Sequence, residues 1–177
     1  MNPALQERLP YLGISAFVVL LDQVTKRLID QTMTLYQSID VVTGVFSLTY
    51  VRNRGAAFGI LSAADLPYQA ALFSIVSLIA LAAIVYYALN VPASDRLPQI
   101  ALALIAGGAI GNLIDRVWLG YVIDFLDFYW EAHHWPMFNI ADSSISTGVG
   151  LLIVDMLVSP SEDPEPGIAA TPAAEAD

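Results

Sequence analysis

Residues 68–89 read YQAALFSIVSLIALAAIVYYAL, a run of 22 residues without one charged side chain. An α-helix rises about 1.5 Å per residue, so about 20 apolar residues cross the roughly 30 Å hydrocarbon core of a bilayer. A second uncharged run, of 18 residues, covers 97–114. The segment VPASDR at 91–96 joins them and is short enough to force an antiparallel hairpin. The sequence therefore predicts two transmembrane helices here.

Two outer segments are less purely apolar, and we predict that they cross the membrane as well. The first covers about 11–29 and contains Asp22 and Lys26, and the last covers 140–158 and contains Asp142 near its start. A secretory signal peptide is the alternative for the first segment, but it fits poorly because no small-x-small cleavage site follows. The expected fold class is therefore an all-α membrane protein with four transmembrane helices.

The composition agrees with a membrane domain followed by a tail. Of the 177 residues, 56% are hydrophobic and 14% are charged, whereas soluble domains average about 45–50% apolar and about 25% charged residues. Half of the net charge of −10 comes from the acidic residues of 159–177, a stretch rich in Pro and Ala that has no Lys or Arg. We predict a membrane domain over 1–158 and a disordered acidic tail over 159–177. The domain has no basic stripe, so we expect no nucleic-acid partner.

Two connecting stretches are too long for simple turns. Residues 41–51 are rich in β-branched and aromatic side chains, which favours a strand. Residues 117–138 are dense in aromatic side chains, and Trp and Tyr favour the membrane–water interface. With an even number of spans, both stretches lie on one side of the membrane, opposite both termini. We expect them to form a small β-containing platform on the bilayer surface.

The charges of the loops give a conflicting orientation. Arg8 and Arg96 lie on the side of the termini, and the platform side holds Lys26, Arg27, Arg52, Arg54 and Arg116. The positive-inside rule would place the platform in the cytoplasm. That conclusion requires the charges to be sorting signals rather than parts of a functional site.

Charged side chains at membrane depth are costly and tend to be paired or functional. Asp22 and Lys26 are spaced i, i+4, which stacks them on one helix face as an ion pair. A helix-end salt bridge, or a Lys26 side chain that reaches the headgroups, is the structural alternative.

The end of the third span carries a second group of small and polar residues. Gly107 and Gly111 form a small-xxx-small face that lets another helix approach closely. Asn112, Asp115 and Arg116 follow where the helix leaves the membrane. Capping and interfacial pairing are the alternative roles for this polar cluster.

Asp124 and Asp142 fall at the same predicted membrane edge. Asp124 is flanked by large apolar side chains, and Asp142 follows Asn139 at the start of the last span. Asn139 can cap this helix, and an acid in the first turn suits the helix dipole, so Asp142 also has a structural explanation. Nearby Asp127 is expected to face water. Two carboxylates close together in a low-dielectric site share a proton, which suits acid–base catalysis of hydrolysis.

Other chemistries fit the residues less well. The chain has no cysteine, which excludes disulfides, thiolate metal sites and a cysteine nucleophile. The two histidines, His133 and His134, are adjacent and lack the His-Glu-x-x-His spacing of a zinc site. We expect no metal and no cofactor. A serine–lysine pair of Lys26 with Ser143, Ser144 or Ser146 is conceivable, but no serine stands in a recognisable nucleophile context.

Five motifs, in order and separated by four spans, resemble the lipoprotein signal peptidase (signal peptidase type II) family over roughly 11–158. They are Asp22-Gln23-Val24-Thr25-Lys26, Asn53-Arg54-Gly55-Ala56-Ala57-Phe58-Gly59, Gly111-Asn112-Leu113-Ile114-Asp115-Arg116, Val122-Ile123-Asp124-Phe125 and Phe138-Asn139-Ile140-Ala141-Asp142-Ser143. Each motif alone is a weak signal, whereas five in this order are specific.

The resemblance implies a bacterial inner-membrane aspartic peptidase with both termini in the cytoplasm and an extracytoplasmic platform. Its substrate would be a prolipoprotein, cleaved just before its diacylglyceryl-modified cysteine, and membrane lipid would surround it. The catalytic pair would be Asp124 and Asp142. The residues that match substrate-binding or site-shaping positions are Asp22, Lys26, Asn53, Gly55, Asn112, Arg116, Asn139 and Ala141. The family's orientation contradicts the positive count, and we follow the family.

Two other functional classes compete with a peptidase. In a proton-coupled transporter or proton-relay protein, the membrane acids and Lys26 would form a conduction path. Against this, the acids gather at one membrane edge, the sequence shows no inverted repeat, and 177 residues are few for alternating access. A non-catalytic lipid-binding or scaffold protein is the second alternative.

Overall fold

Four helices lie over the four segments predicted to cross the membrane. The computed structural model describes residues 6–55 and 68–158, so the predicted acidic tail and part of the second motif, 56–59, lie outside the described residues. The helices are α1 Leu9–Thr32, α2 Gln69–Asn90, α3 Arg96–Trp118 and α4 Ile140–Val158.

Three of these helices, α2, α3 and α4, are long and apolar enough to cross a membrane. Helix α1 has 24 residues, but Asp22, Gln23 and Lys26 lower the mean hydropathy of its second half. The same side chains are buried or half-buried against the other helices. Their polarity therefore faces the protein interior, and the exposed face of α1 is apolar, with Phe17 and Leu20 each 63% exposed.

The connecting stretches form one small antiparallel sheet. Its strands are β1 Ser38–Val42, β2 Phe46–Asn53, β3 Val122–Trp130 and β4 His133–His134, in the order β1-β2-β3-β4. The single strand predicted over 41–51 is wrong in detail, because a turn interrupts it. Gly44 adopts a φ of +83° in that turn, a conformation that glycine adopts without steric cost. The stretch is therefore a hairpin of β1 and β2.

Helix α3 is the centre of the bundle and packs against α1, α2 and α4. Its glycines make these contacts close. A Cβ atom on Gly107 would lie 2.8 Å from the Cβ of Val18 on α1, and one on Gly111 would overlap the carboxylate of Asp22. A Cβ on Gly108 would overlap the backbone carbonyl of Ala141 on α4. Gly107 and Gly111 thus permit the close helix approach predicted from their spacing.

The sheet joins the bundle through a small apolar core. The buried side chains are Ile29 and Met33 at the end of α1, Tyr50 of β2, and Ile123 and Phe125 of β3. This core fixes β3 against the end of α1. Side chains alternate along a strand, so Asp124, between Ile123 and Phe125, points to the opposite face of β3.

Gly108→Ala should destabilise the bundle, because the Ala141 carbonyl cannot move unless the whole of α4 moves. We expect a loss of about 1–3 kcal/mol, as for other overpacked interiors. Thermal unfolding in detergent measures it. Gly150→Ala on α4 is the matched control, because a Cβ there meets nothing within 4 Å. Equal stability of the two variants would contradict this account of the α3–α4 contact.

Candidate active site

Asp124 is placed by an irregularity in the sheet. Along β2 the partners of β3 change from Leu48 opposite Leu126 to Val51 opposite Asp124, so β2 contains one extra residue. Such bulges redirect side chains and occur often beside functional sites. Asn53, two residues after Val51, points to the same face, and its Nδ2 donates to Asp124 Oδ2 over 3.0 Å. The backbone N–H of Gly55 donates to Asn53 Oδ1 over 2.8 Å and fixes that amide.

Asp142 is placed by the cap of α4. Phe138 pairs with Leu126 of β3, which brings the start of α4 beside Asp124. Asn139 Oδ1 accepts the N–H of Asp142 over 2.9 Å, and Asp142 Oδ2 accepts the N–H of Asn139 over 3.3 Å. This reciprocal pair is a capping box, as the predicted N-cap role of Asn139 requires. The buried Asn139 also donates from Nδ2 to Asp124 Oδ1 over 2.7 Å, so one residue contacts both carboxylates.

A buried lysine holds the other side of the cluster. Lys26 is 2% exposed, and its ammonium group contacts Asp22 at 2.9 Å and Asp115 at 3.0 Å. Its third contact is a hydrogen bond of 2.9 Å to Asn112 Oδ1. Asp22 also accepts the backbone N–H of Ala141 over 3.0 Å, which ties α1 to the first turn of α4. The i, i+4 pair predicted from the sequence therefore joins three helices rather than reaching the headgroups.

The lysine sets the orientation of the amides next to the carboxylates. An ammonium group only donates hydrogen bonds, so the oxygen of Asn112 faces Lys26. The amide nitrogen of Asn112 then faces Asp142, with an Nδ2–Oδ1 distance of 2.8 Å. Asn139 is oriented in the same manner, since its oxygen is taken by a backbone N–H. The carboxylates of Asp124 and Asp142 consequently each accept hydrogen bonds from two N–H donors.

The structure brings the ten residues singled out from the sequence into one cluster. Arg116 differs from the others because it makes no hydrogen bond to either carboxylate among the described residues. Its half-buried guanidinium interacts electrostatically with Asp142 and Asp124, and it donates a hydrogen bond to the backbone oxygen of Asn112. Gly55 and Ala141 act through their backbone N–H groups.

Two members of the cluster, Asp115 and Gln23, were not among the site residues predicted from the sequence, although Asp115 belongs to the polar group noted at the end of the third span. Asp115 is 3% exposed and, besides Lys26, accepts the N–H of Ile123 over 3.1 Å. Gln23 donates to Asp115 over 3.0 Å and to the backbone oxygen of Gly111 over 3.1 Å. A second acid for Lys26 could have been inferred from the i, i+3 spacing of Asn112 and Asp115, which places both on one face.

A cavity of about 720 Å³ opens in front of the carboxylates. Its polar end is formed by Asn53, Asn112, Arg116, Asp124 and Asp142. Apolar side chains such as Ile84 of α2, Ile105 of α3 and Ile145 of α4 line the remainder. The cavity suits a long apolar ligand whose polar part lies at the carboxylates.

Burial raises the pKa of Asp124 to about 7, and the neighbouring Asp142 carboxylate adds to the rise. The donors Asn53 and Asn139 act in the opposite direction. Asp124 is therefore partly protonated near neutral pH, whereas an exposed aspartate is ionised there.

One expectation from the sequence and one alternative that the sequence disfavoured do not fit this arrangement. Asp127 does not face water: it is 2% exposed and accepts hydrogen bonds from Ser47, Thr49 and His134 within the sheet. These partners compensate its burial. A serine–lysine pair is not formed either, because Lys26 contacts Asp22, Asp115 and Asn112. Ser143 and Ser144 donate to backbone carbonyls of their own helix.

Comparison with known proteins agrees with the geometry. A lipoprotein signal peptidase of Geobacter metallireducens is 54% identical over 144 residues, covering 81% of this chain and 88% of the relative. That of Geobacter sulfurreducens is 57% identical over 139 residues, covering 78% and 86%. A solved structure described as a bacterial membrane enzyme superposes with a TM-score of 0.78 at 39% identity, covering 90% of this chain and 94% of that one. The family model for signal peptidase (SPase) II matches residues 14–158, and the chain belongs to this family.

Proposed function

We propose that Asp124 and Asp142 are the catalytic pair of this chain, a peptidase that removes signal peptides from prolipoproteins. The observation that supports the pair is their arrangement around Asn139, with both carboxylates facing one cavity. A carboxyl with a pKa of about 7 beside a second carboxyl suits proton exchange near neutral pH.

In the proposed reaction the two acids have different roles. We assign the ionised role to Asp142, because its place in the first turn of α4 and its two N–H donors favour a charged carboxylate. It takes a proton from a water molecule, whose oxygen attacks the scissile carbonyl carbon. Asp124 gives its proton to the carbonyl oxygen. When the tetrahedral intermediate collapses, the proton on Asp142 passes to the departing amine, and the hydroxyl on the former carbonyl carbon returns a proton to Asp124.

The remaining residues of the cluster hold this pair and the substrate. Lys26 and Asp22 fix Asn112 and the start of α4. Asn53, held by Gly55, and Asn139 fix Asp124. Arg116 places its charge in the cavity wall next to the carboxylates, where it suits binding of a carbonyl oxygen or an ester of the substrate.

The proposed topology has four membrane spans, both termini in the cytoplasm, and the sheet outside the inner membrane. The orientation conflict is reduced because three platform-side charges have local roles. Lys26 is buried in ion pairs, Arg116 lines the cavity, and Arg52 pairs with Asp30 at 3.6 Å and stacks on Tyr121. A reporter that is active only in the cytoplasm, fused to the C-terminus, should be active; an inactive fusion would reverse this topology.

The proposed substrate is a diacylglyceryl-modified prolipoprotein, cleaved before the lipidated cysteine. Helix α2 packs principally on α3, yet it faces α4 across the cavity. An apolar signal peptide can therefore enter sideways from the surrounding lipid between α2 and α4. The apolar cavity wall then receives the signal peptide and acyl chains, and the polar end receives the scissile bond.

Incubation of the purified protein with a lipidated precursor tests this function. The peptidase shortens the precursor at the peptide bond before the modified cysteine. A transporter or a lipid-binding scaffold would bind or move its ligand and leave the precursor intact. An unmodified precursor of the same sequence is the control for the lipid requirement.

The pH dependence of cleavage should report on Asp124. As the pH rises through about 7, Asp124 loses its proton and the pair becomes doubly ionised, so kcat/KM should fall. The free energy of unfolding should change in the same direction. The pKa of Asp124 in the folded protein lies above the ordinary value of 3.8, so the stability that its protonation contributes is lost as the pH rises through about 7. Asp124→Asn should lose this component of the pH dependence of unfolding. Activity that is constant from pH 6 to about pH 9 would contradict the assignment.

A further inference from the structure

Nearly all serine and threonine hydroxyls of the described helices are used by the helix that carries them. Each lies within hydrogen-bond distance of the backbone carbonyl four residues earlier: Ser15, Thr25, Thr32, Ser74, Ser143, Ser144 and Thr147. Ser15 has a shorter bond, of 2.8 Å, to the backbone oxygen of Ala103 on α3. The two exceptions are Ser77 of α2 and Ser146 of α4, which make no hydrogen bond within the part of the chain that the structure describes. Local back-bonding is the common state of such a hydroxyl.

Both exceptions line the cavity in front of the carboxylates. Ser146 follows Asp142 by four residues, so it lies on the same face of α4, one turn further from the sheet. Ser77 is in the wall formed by α2, and its neighbours along the cavity are Val76 and Ala80. Ser143 and Thr147 also line the cavity, but their hydroxyls are bonded to their own helix. Ser77 and Ser146 thus offer the two hydroxyls without an intrahelical partner, one on each of the helices between which the substrate is proposed to enter.

A signal peptide that reaches the catalytic pair requires such groups. Its helix must unwind at the scissile bond so that the carbonyl can be attacked, and the freed backbone N–H and C=O groups need partners where water is scarce. The four residues from Asp142 to Ser146 rise about 6 Å along α4, a distance that an extended chain covers in about two residues. In the proposed topology this places Ser146 beside the second residue upstream of the cleaved bond.

Resting on the proposed function, we infer that Ser77 and Ser146 are positioning residues that hydrogen-bond the unwound backbone of the signal peptide just upstream of the scissile bond. A hydroxyl both donates and accepts, so it can serve either a carbonyl or an amide of the peptide. Because these hydrogen bonds are made to the backbone, they can form with signal peptides of different sequence.

A matched pair of substitutions isolates the hydroxyl. Threonine and valine have the same shape, so Ser146→Thr and Ser146→Val differ only in one polar group, and the same holds at Ser77. With a lipidated precursor, the Val variants should raise KM about three- to tenfold, the effect of one net hydrogen bond, with kcat and the pH profile unchanged. The Thr variants should stay within about twofold of the unmodified enzyme.

Two further measurements separate this inference from a general packing effect. Ser74→Val and Ser144→Val remove hydroxyls that are bonded to their own helix, and they should leave KM unchanged. An ester in place of the second peptide bond upstream removes its N–H and weakens its carbonyl as an acceptor, so the effect of the Thr–Val exchange at position 146 should shrink. Equal KM values for the Thr and Val variants would overturn the inference. Cleavage that persists in Asp124→Asn would instead overturn the proposed catalytic pair and leave the serine result to stand alone.

Discussion

Asp124→Asn and Asp142→Asn should each lower precursor cleavage by at least about a thousandfold, as loss of a member of a catalytic unit does in other hydrolases. An amide keeps the shape of the side chain and its contacts with Asn139, but it can neither take up nor deliver the shuttled proton. Folding and binding of an uncleavable lipopeptide should persist. Rates of cleavage and affinity for the lipopeptide measure the two effects separately.

The double variant should be scarcely slower than either single one, because the two acids act as one unit. Asp40→Asn is the control: Asp40 is an exposed acid of the sheet whose carboxylate accepts a hydrogen bond from Tyr129. It should keep near-normal activity. Asp127 is a poorer control than its sequence context indicates, because its carboxylate is buried. Near-normal turnover by either single variant at Asp124 or Asp142 would end the proposal.

Lys26→Met should cost about 3–5 kcal/mol of stability, because it leaves buried charge without a partner. The carboxylates of Asp22 and Asp115, which are 0% and 3% exposed, would lose their common cation. Asn112 would lose the donor that orients its amide towards Asp142. Activity should therefore fall together with thermal stability in detergent.

Arg27→Met is the control for this substitution, since Arg27 lies next in the chain but on the exposed side of α1. It should change neither quantity appreciably. A Lys26→Met enzyme of normal stability but without activity would mean that Lys26 takes part in the chemical step. A stable and active one would refute the role of the buried cation altogether.

The sequence predicted most of the site because polar residues in apolar segments are rare and therefore informative. Asp22 and Lys26 could be paired from helical spacing and the cost of burying charge, whereas their contact with Asn112 joins two helices and has no signal in the spacing. The Asn139 cap could be predicted from its position before an apolar run. The assignment of the catalytic pair rested on the family resemblance, since spacing alone does not show that Asp124 and Asp142 meet.

The unpredicted features depend on contacts between distant segments. The extra residue in β2, which directs Asn53 towards Asp124, arises from the pairing of β2 with β3. These strands are distant in the sequence: Asn53 and Asp124, which share a hydrogen bond, are 71 residues apart. The burial of Asp127 depends on hydroxyls from β2 and on His134 from the next hairpin. Neither the bulge nor this polar cluster has a local sequence signal.

The position of the cap at Asn139 has a consequence for how the enzyme is made. Ala141 and Asp142 belong to the last helix and Asn139 caps it. In the proposed topology this helix is synthesised and inserted after the other three. A chain that has inserted only α1 to α3 can pair Lys26 with Asp22 and Asp115, but it lacks one carboxylate and the donor to the other. With the proposed catalytic pair and topology, proteolytic competence is acquired in one late step of biosynthesis, when α4 docks against α3.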